Sequence, residues 1–211
     1  TTNIIGTVDP KHSDMTKYKA AKPIRKKPHE CFLLLPEGDS AASTISIGIT
    51  ATNPKTKKPY LGYDHYGYLT LGGVIMNARK EITVNMVNGK RVITIGRRLM
   101  QNKFFNTIIE VLGLNLNYTY DSNSSTYQKE MSGLKYGAVI ACVDQDHDGT
   151  GFIYPLIVNL FEVFWPKLLE QGFVRKWETP RRRAISRSGQ VTEFYSDNDF
   201  KQWQLADSKH T

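Results

Sequence analysis

The chain has 211 residues, with 28 Lys and Arg against 20 Asp and Glu for a net charge of +8, and 40% of its residues are hydrophobic. That apolar content excludes a disordered tail and suits one domain with a sizeable core plus connecting segments. Only two cysteines are present, which excludes a disulfide-stapled scaffold; the surplus of base suits a polyanionic partner without requiring one.

In chain order, Thr1 to Glu30 shows no apolar periodicity and reads as a connector from something upstream. Its charges, Lys11, Lys17, Lys19, Lys22, Arg25, Lys26 and Lys27 against Asp14 and Glu30, fit a solvated linker better than a dedicated DNA-binding arm. Cys31 to Leu35 is a continuous apolar run ended by a Gly-containing turn, the pattern of a strand buried on both faces of a parallel sheet. Ala41 to Ile49 reads as a short helix capped by Asp39, although Ile45, Ile47 and Ile49 weaken it. Ile82 to Val87 and Arg91 to Ile95 form a hairpin around Asn88-Gly89. Arg97 to Leu112 has helical spacing throughout and stops at Gly113.

Residues 117–132 are rich in Ser and Asn and read as a loop with disorder. Ala138 to Val143 is a second buried strand. A long helix begins near Phe152, takes Pro155 in its first turn, and yields at Pro166 to a second segment ending at Gly172. The apolar stretch from Phe152 to Trp165 is broken by Asn159 and Glu162 and is too short and polar to span a membrane. Phe173 to Trp177 and Val191 to Tyr195 are further strands, and Arg181-Arg182-Arg183 with Arg187 forms a second basic cluster. Cys31 and Cys142 read as small apolar filler in core strands. Strands alternating with helices in this order predict an α/β domain with a mainly parallel sheet of about four strands flanked by helices.

Both buried strands run into acid, at Glu37-Gly38-Asp39-Ser40-Ala41 and at Asp144-Gln145-Asp146-His147-Asp148-Gly149. Ligands of parallel sheets bind at the carboxyl ends of the strands. If these two strands are neighbours, Glu37 meets Asp144, Asp146 and Asp148 at one edge. Four carboxylates gathered there repel each other unless a cation shares the site, and hard oxygen ligands select Mg²⁺ or a close relative. A calcium-binding EF-hand loop would need a Glu at its twelfth position, here Pro155, and a helix before its first Asp, here an apolar β-type run. A purely structural role covers Asp39 as a cap but leaves three alternate carboxylates uncompensated.

These strings resemble the Toprim domain of topoisomerases and primases, in which a Glu-Gly turn follows one strand and Asp-x-Asp-x-Asp-Gly another. The fuller resemblance is to type IIA DNA topoisomerases of the eukaryotic and viral branch. It runs through Asn77 and Arg79, Ile108-Ile109 with Leu112-Gly113-Leu114, Leu134-Lys135-Tyr136-Gly137, Trp165-Pro166, Gly172-Phe173 and Thr179-Pro180, in family order over roughly residues 22–204. The resemblance implies a Toprim fold with the hairpin as an insertion. Residues 1–30 then connect from an upstream domain, 31–180 form the metal-binding domain, and 181–211 lead toward a winged-helix DNA-cleavage domain.

The activity implied is ATP-dependent passage of one duplex through a transient double-strand break in another, by Mg²⁺-assisted transesterification. Glu37 with Asp144 would hold the catalytic ion and serve in acid–base chemistry, Asp144 with Asp146 a second ion, and Asp148 would complete the shell; Mn²⁺ or Ca²⁺ would substitute. Duplex DNA, ATP in an upstream domain and a homodimeric full-length protein follow from the same resemblance, as does an intracellular setting, the host cytoplasm for a viral member or the nucleus for a cellular one. The family's nucleophilic tyrosine follows an arginine, and none of the eleven tyrosines here does, so the chain alone is expected to be an inactive piece of a longer enzyme. Several basic positions of the family are absent: Ala42, Gly72-Gly73-Val74, Gly151 and Tyr154 stand where relatives carry Lys, Arg or His. Asn77, Arg79, Lys80, Arg97 and Arg98 are the remaining candidate DNA contacts. A Toprim nuclease or primase, or a non-catalytic metal- or DNA-binding module, is the alternative.

Overall fold

A computed structural model describes residues 2–22, 27–60, 62–72, 75–143 and 152–207. Along the chain, β1 (Thr2–Ile5) and the two-residue β2 (Tyr18–Lys19) precede β3 (Phe32–Pro36), α1 (Asp39–Thr50) and β4 (Tyr66–Leu69). The hairpin β5 (Ile82–Val87) and β6 (Lys90–Ile95) follows, turning through Asn88 and Gly89, both with positive φ, as a tight hairpin of this kind demands. Next come α2 (Arg97–Met100), α3 (Lys103–Leu112), α4 (Tyr127–Met131), β7 (Ala138–Cys142), α5 (Tyr154–Phe164), α6 (Pro166–Glu170) and β8 (Val174–Lys176). A last hairpin, β9 (Arg182–Ile185) with β10 (Val191–Phe194), leads to α7 (Asp197–Asp207).

The central sheet has the order β2-β4-β3-β7-β8. Strands β4, β3, β7 and β8 are parallel, and β2 adds an antiparallel edge. Leu33, Leu34 and Leu35 in β3 are wholly buried, as a central strand covered on both faces requires. On one side, α3 contributes Phe105, Ile108, Val111 and Leu112 and α5 contributes Ile157, Leu160 and Phe161 to a single apolar core. Trp165 seats in that core with its indole N–H donating to the Asn115 carbonyl at 2.9 Å. A second sheet, β1-β6-β5, packs Ile93 and Ile95 into the same core. No helix among the described residues is long and apolar enough to cross a membrane.

The mixed α/β class matches the expectation from sequence, and five features differ from it. The first thirty residues are not simply a solvated linker. β1 pairs with β6, the Asp9 and Asp14 backbone amides donate to Asn106 and Thr107 of α3, and Tyr18 shares a hydroxyl hydrogen bond of 2.9 Å with buried Tyr136. Their anchors are single polar contacts and short pairings, which leave no periodic apolar signal. The helix expected over 97–112 breaks in two, because the Asn102 side chain accepts from the Phe105 amide at 2.9 Å and starts a new helix. Asp39 does not cap α1; Gly38 is the capping residue, and Asp39 is the first residue of the helix. The arginine cluster at 181–183 opens a strand, with Arg182 paired to Asp197 and Arg183 to Glu193.

The segment expected to be disordered is held together by one buried carboxylate. Glu130 accepts from the Thr119 and Tyr120 amides at 3.1 and 2.6 Å and from the Thr126 hydroxyl at 2.7 Å. The Tyr120 hydroxyl in turn accepts from the Asn115 amide, tying the loop to the end of α3. Replacing Glu130 with Ala strands the buried Tyr120 amide and the part-buried Thr119 amide, a buried one being worth about 1–3 kcal/mol. Glu130→Ala should therefore lower stability by roughly 2–4 kcal/mol in urea unfolding, with a smaller loss for Glu130→Gln, which keeps one acceptor.

Candidate metal and phosphate site at the sheet edge

Strands β3 and β7 are adjacent and parallel, in a register that sets Phe32 opposite Ala138 and Pro36 opposite Cys142. The next residue on the first strand is Glu37, and the next on the second is Val143, after which the acidic string begins. The adjacency on which the sequence argument depended is therefore present. Asp144, Asp146 and Asp148 themselves lie outside the described residues, as does the rest of that loop. Among the described residues no group of three or more His, Cys, Asp or Glu side chains comes together; Glu37 is the one member of the expected four that is described. A strand leads directly into the acidic string, so the helix that an EF-hand loop requires before its first Asp is absent.

Glu37 is half-buried and stands on the wall of a crevice of about 650 Å³, shared with Gly38, Ser40, Cys142, Val143 and Thr179. The crevice opens at the carboxyl ends of β3, β7 and β8, where parallel sheets bind ligands. Gly38 and Ser40 bring the amino-terminus of the twelve-residue α1 to its rim. The first-turn amides of a helix have no partner within the helix and favour anions. A Cβ on Gly38 would meet nothing within 4 Å, so the backbone there is open to a large ligand. Cys142 also faces the crevice. Burial pushes its thiol up to about 12, and its S–H donates to the Ile140 carbonyl at 3.5 Å. A thiol that stays protonated at neutral pH is a poor nucleophile.

The other candidates gather elsewhere. Asn77 precedes a 3-10 turn at Ala78–Glu81 that packs between α5 and α2, and none of the five expected DNA contacts lines the Glu37 crevice. Arg79 pairs with Glu162 at 2.7 Å and its amide donates to Asn159, so α5 holds it. Arg98 pairs with Glu81 at 3.1 Å. Lys80 and Arg97 are exposed, with no ion pair among the described residues. The Asn77 carboxamide oxygen is buried without a hydrogen-bond partner among the described residues. Trp177 and Thr179 line the crevice too, and of these the Thr179-Pro180 pair was visible in sequence only as a landmark. Lys17, discussed below, gave no signal beyond its charge.

No protein-family model matches the chain. Among curated proteins it is 38% identical, over 95% of its length, to DNA topoisomerase 2 of African swine fever virus (isolate Tick/Malawi/Lil 20-1/1983). It is 32% identical over 84% of its length to the mitochondrial DNA topoisomerase 2 of Dictyostelium discoideum, and 33% identical over 83% to DNA topoisomerase 2-beta of Cricetulus longicaudatus. The chain spans 17%, 12% and 9% of the lengths of these relatives. Among solved structures, the DNA-binding, cleavage and re-ligation domain of Plasmodium falciparum topoisomerase II superposes with a TM-score of 0.68 at 27% identity, covering 92% of this chain and 22% of that one.

The crevice thiol supplies a measurable consequence. The folded-state value of Cys142 lies above that of an unfolded cysteine, about 8.5, so its contribution to stability is complete below that pH and is lost as pH rises toward about 12. Tyr120, also pushed up to about 12 by burial, acts in the same direction. Stability should fall as pH climbs above about 9. Alkylation of the folded chain by iodoacetamide at pH 8 should run at least ~100-fold slower than that of free cysteine, and full reactivity should appear only on unfolding.

Proposed function

From the premise that the chain is homologous to one segment of the type II DNA topoisomerases, we propose that it is the Toprim metal-binding domain of such an enzyme, contributing to transient double-strand cleavage and religation of DNA. What supports this most is the register that sets Pro36 opposite Cys142: the two strands that lead into acidic strings far apart in sequence end side by side at the ligand-binding edge of a parallel sheet.

The donor set fits Mg²⁺. It is made of hard carboxylate oxygens, and the one soft group described at the crevice, Cys142, is held as a thiol. Glu37 with Asp144 would hold one ion and Asp144 with Asp146 a second, with Asp148 completing the shell and Mn²⁺ or Ca²⁺ able to substitute. When bound, the ions would supply positive charge against the charge that builds on the phosphate and the departing 3′-oxygen. Glu37 exchanges a proton with that oxygen as it leaves and returns. Gly38 leaves the backbone open for the duplex to approach, and the first-turn amides of α1 face phosphate oxygens. Lys80 and Arg97 are better placed as DNA contacts than Arg79 and Arg98, whose guanidinium groups are already engaged.

In this reading the attacking tyrosine and the ATP site belong to other domains of the same polypeptide, which acts as an intracellular homodimer on duplex DNA. The division into 1–30, 31–180 and 181–211 is part of the proposal, with the first segment docked on the domain. A Toprim nuclease would need a base to deprotonate water, and none is evident among the described residues lining the crevice besides Glu37.

Two substitutions test the site. Glu37→Gln in the full-length enzyme is nearly isosteric and should slow Mg²⁺-dependent cleavage by at least ~100-fold with DNA affinity little changed; cleavage near the wild-type rate would remove Glu37 from the chemistry. Asp146→Ala should weaken Mg²⁺ or Mn²⁺ binding in calorimetric titration while the unfolding midpoint holds. Equal metal affinity in variant and wild type would exclude Asp146 as a ligand.

A further inference from the structure

Helix α1 separates two depressions. The crevice described above lies along Ser40, Ala41, Thr44 and Gly48. On the opposite flank of the helix is a second groove of about 620 Å³, lined by Lys17, Lys19, Ser43, Ser46, Tyr68 and Thr70 among others. Lys17 ends a 3-10 turn and Lys19 lies in β2, and both line the groove. Tyr18 between them also lines the groove, and its hydroxyl meets that of Tyr136.

Lys17 is fixed in place from several directions. Its carbonyl accepts from the Thr70 amide at 3.1 Å. Its ammonium lies 3.7 Å from the Asp39 carboxylate at the start of α1. It also fills the space over Gly72, where an added Cβ would come within 2.8 Å of Nζ. Lys19 makes no ion pair among the described residues, and the hydroxyls of Ser46, Tyr68 and Thr70 have no hydrogen-bond partner among them. The lining therefore holds two cations against one carboxylate, Asp39, which is 85% exposed, together with the hydroxyls of half-buried Ser46 and Tyr68 and of buried Thr70.

We propose that this groove is a second phosphate track for duplex DNA, with Lys17 and Lys19 as its anchors and the Ser46, Tyr68 and Thr70 hydroxyls as neutral donors. The proposal rests on the reading of the chain as a DNA-cleaving enzyme's domain and extends it to the far side of α1. Ammonium and hydroxyl groups arranged this way bind phosphodiester oxygens and carry no base identity, so the groove positions the duplex without selecting its sequence. Lying at the same sheet edge as Glu37, it aligns the backbone beside the cleavage site.

The test is equilibrium binding of the chain to a mixed-sequence duplex across salt. Each phosphate neutralised adds about 0.9 to the log–log slope. Lys17→Met with Lys19→Met should therefore lower the slope by about 1.8, making the loss of affinity between about 50 and 200 mM salt roughly 12-fold smaller. Lys55→Met with Lys58→Met, on an exposed loop outside the groove, should leave the slope unchanged. Ser46→Asp places a negative charge in the groove wall from a helix position and should weaken binding even if the lysine pair disturbs β2. A slope identical in wild type and the Lys17/Lys19 variant, or full affinity in Ser46→Asp, overturns the groove. Calorimetric Mg²⁺ titration of the wild type and Glu37→Gln reports on the cleavage site separately, so either reading can fail while the other stands.

Discussion

The parallel pairing of β3 with β7 is the constraint from which the rest follows. A parallel pair cannot be closed by a tight turn, so the chain between these strands must cross over through other elements. It does so at length, by way of α1, β4, the β5–β6 hairpin, α2, α3 and α4. The return brings a second apolar strand beside the first with its carboxyl end at the same edge, and both then run into acid. Leu33, Leu34 and Leu35 pack on both faces of the sheet, so a one-residue slip of β3 would exchange every buried side chain and shift Glu37 relative to Val143. Core packing and the geometry of the candidate site are thus fixed by one register.

Much of this was legible in sequence because the relevant signals are physical. Continuous apolar runs of five or six residues identified β3 and β7, Asn88-Gly89 identified the hairpin, and Gly113 and Pro166 marked helix boundaries where left-handed or proline geometry leaves few options. What escaped depended on contacts distant in sequence. The docking of residues 2–22 rests on Tyr18 meeting Tyr136 and on amides meeting Asn106 and Thr107, none of which has a local signature. The order of the 117–132 loop rests on one carboxylate, Glu130, whose partners are backbone amides. The break at Asn102 was readable in principle, since Asn is a preferred helix cap, but the apolar spacing on either side runs through it.

The candidate site divides in the same way. Glu37 could be placed at a strand end because a continuous apolar run leads into it and Gly38 follows it. Basic residues are harder, because charge alone does not distinguish a DNA contact from a solvated or paired side chain. Arg79, Arg98, Arg182 and Arg183 all meet carboxylates at 2.7–3.1 Å, so the overall charge of +8 overstates the number of cations available to a polyanion. Lys17 and Lys19 matter because both line one groove, where Asp39, 3.7 Å from Lys17, is the single lining carboxylate.

The docking of the amino-terminal segment has a bearing on how the domain comes to be assembled. β1 lies beside β6 and β2 beside β4, so these residues leave a ribosome before the strands they pair with have been made. At about 5–20 residues per second, that interval lasts several seconds. Gly67 then becomes a kinetic requirement as well as a steric one. β2 closes over it so tightly that a methyl group there would meet the Tyr136 hydroxyl and the Lys19 carbonyl, and a larger residue would bar the latecomer from a seat the rest of the sheet has already formed.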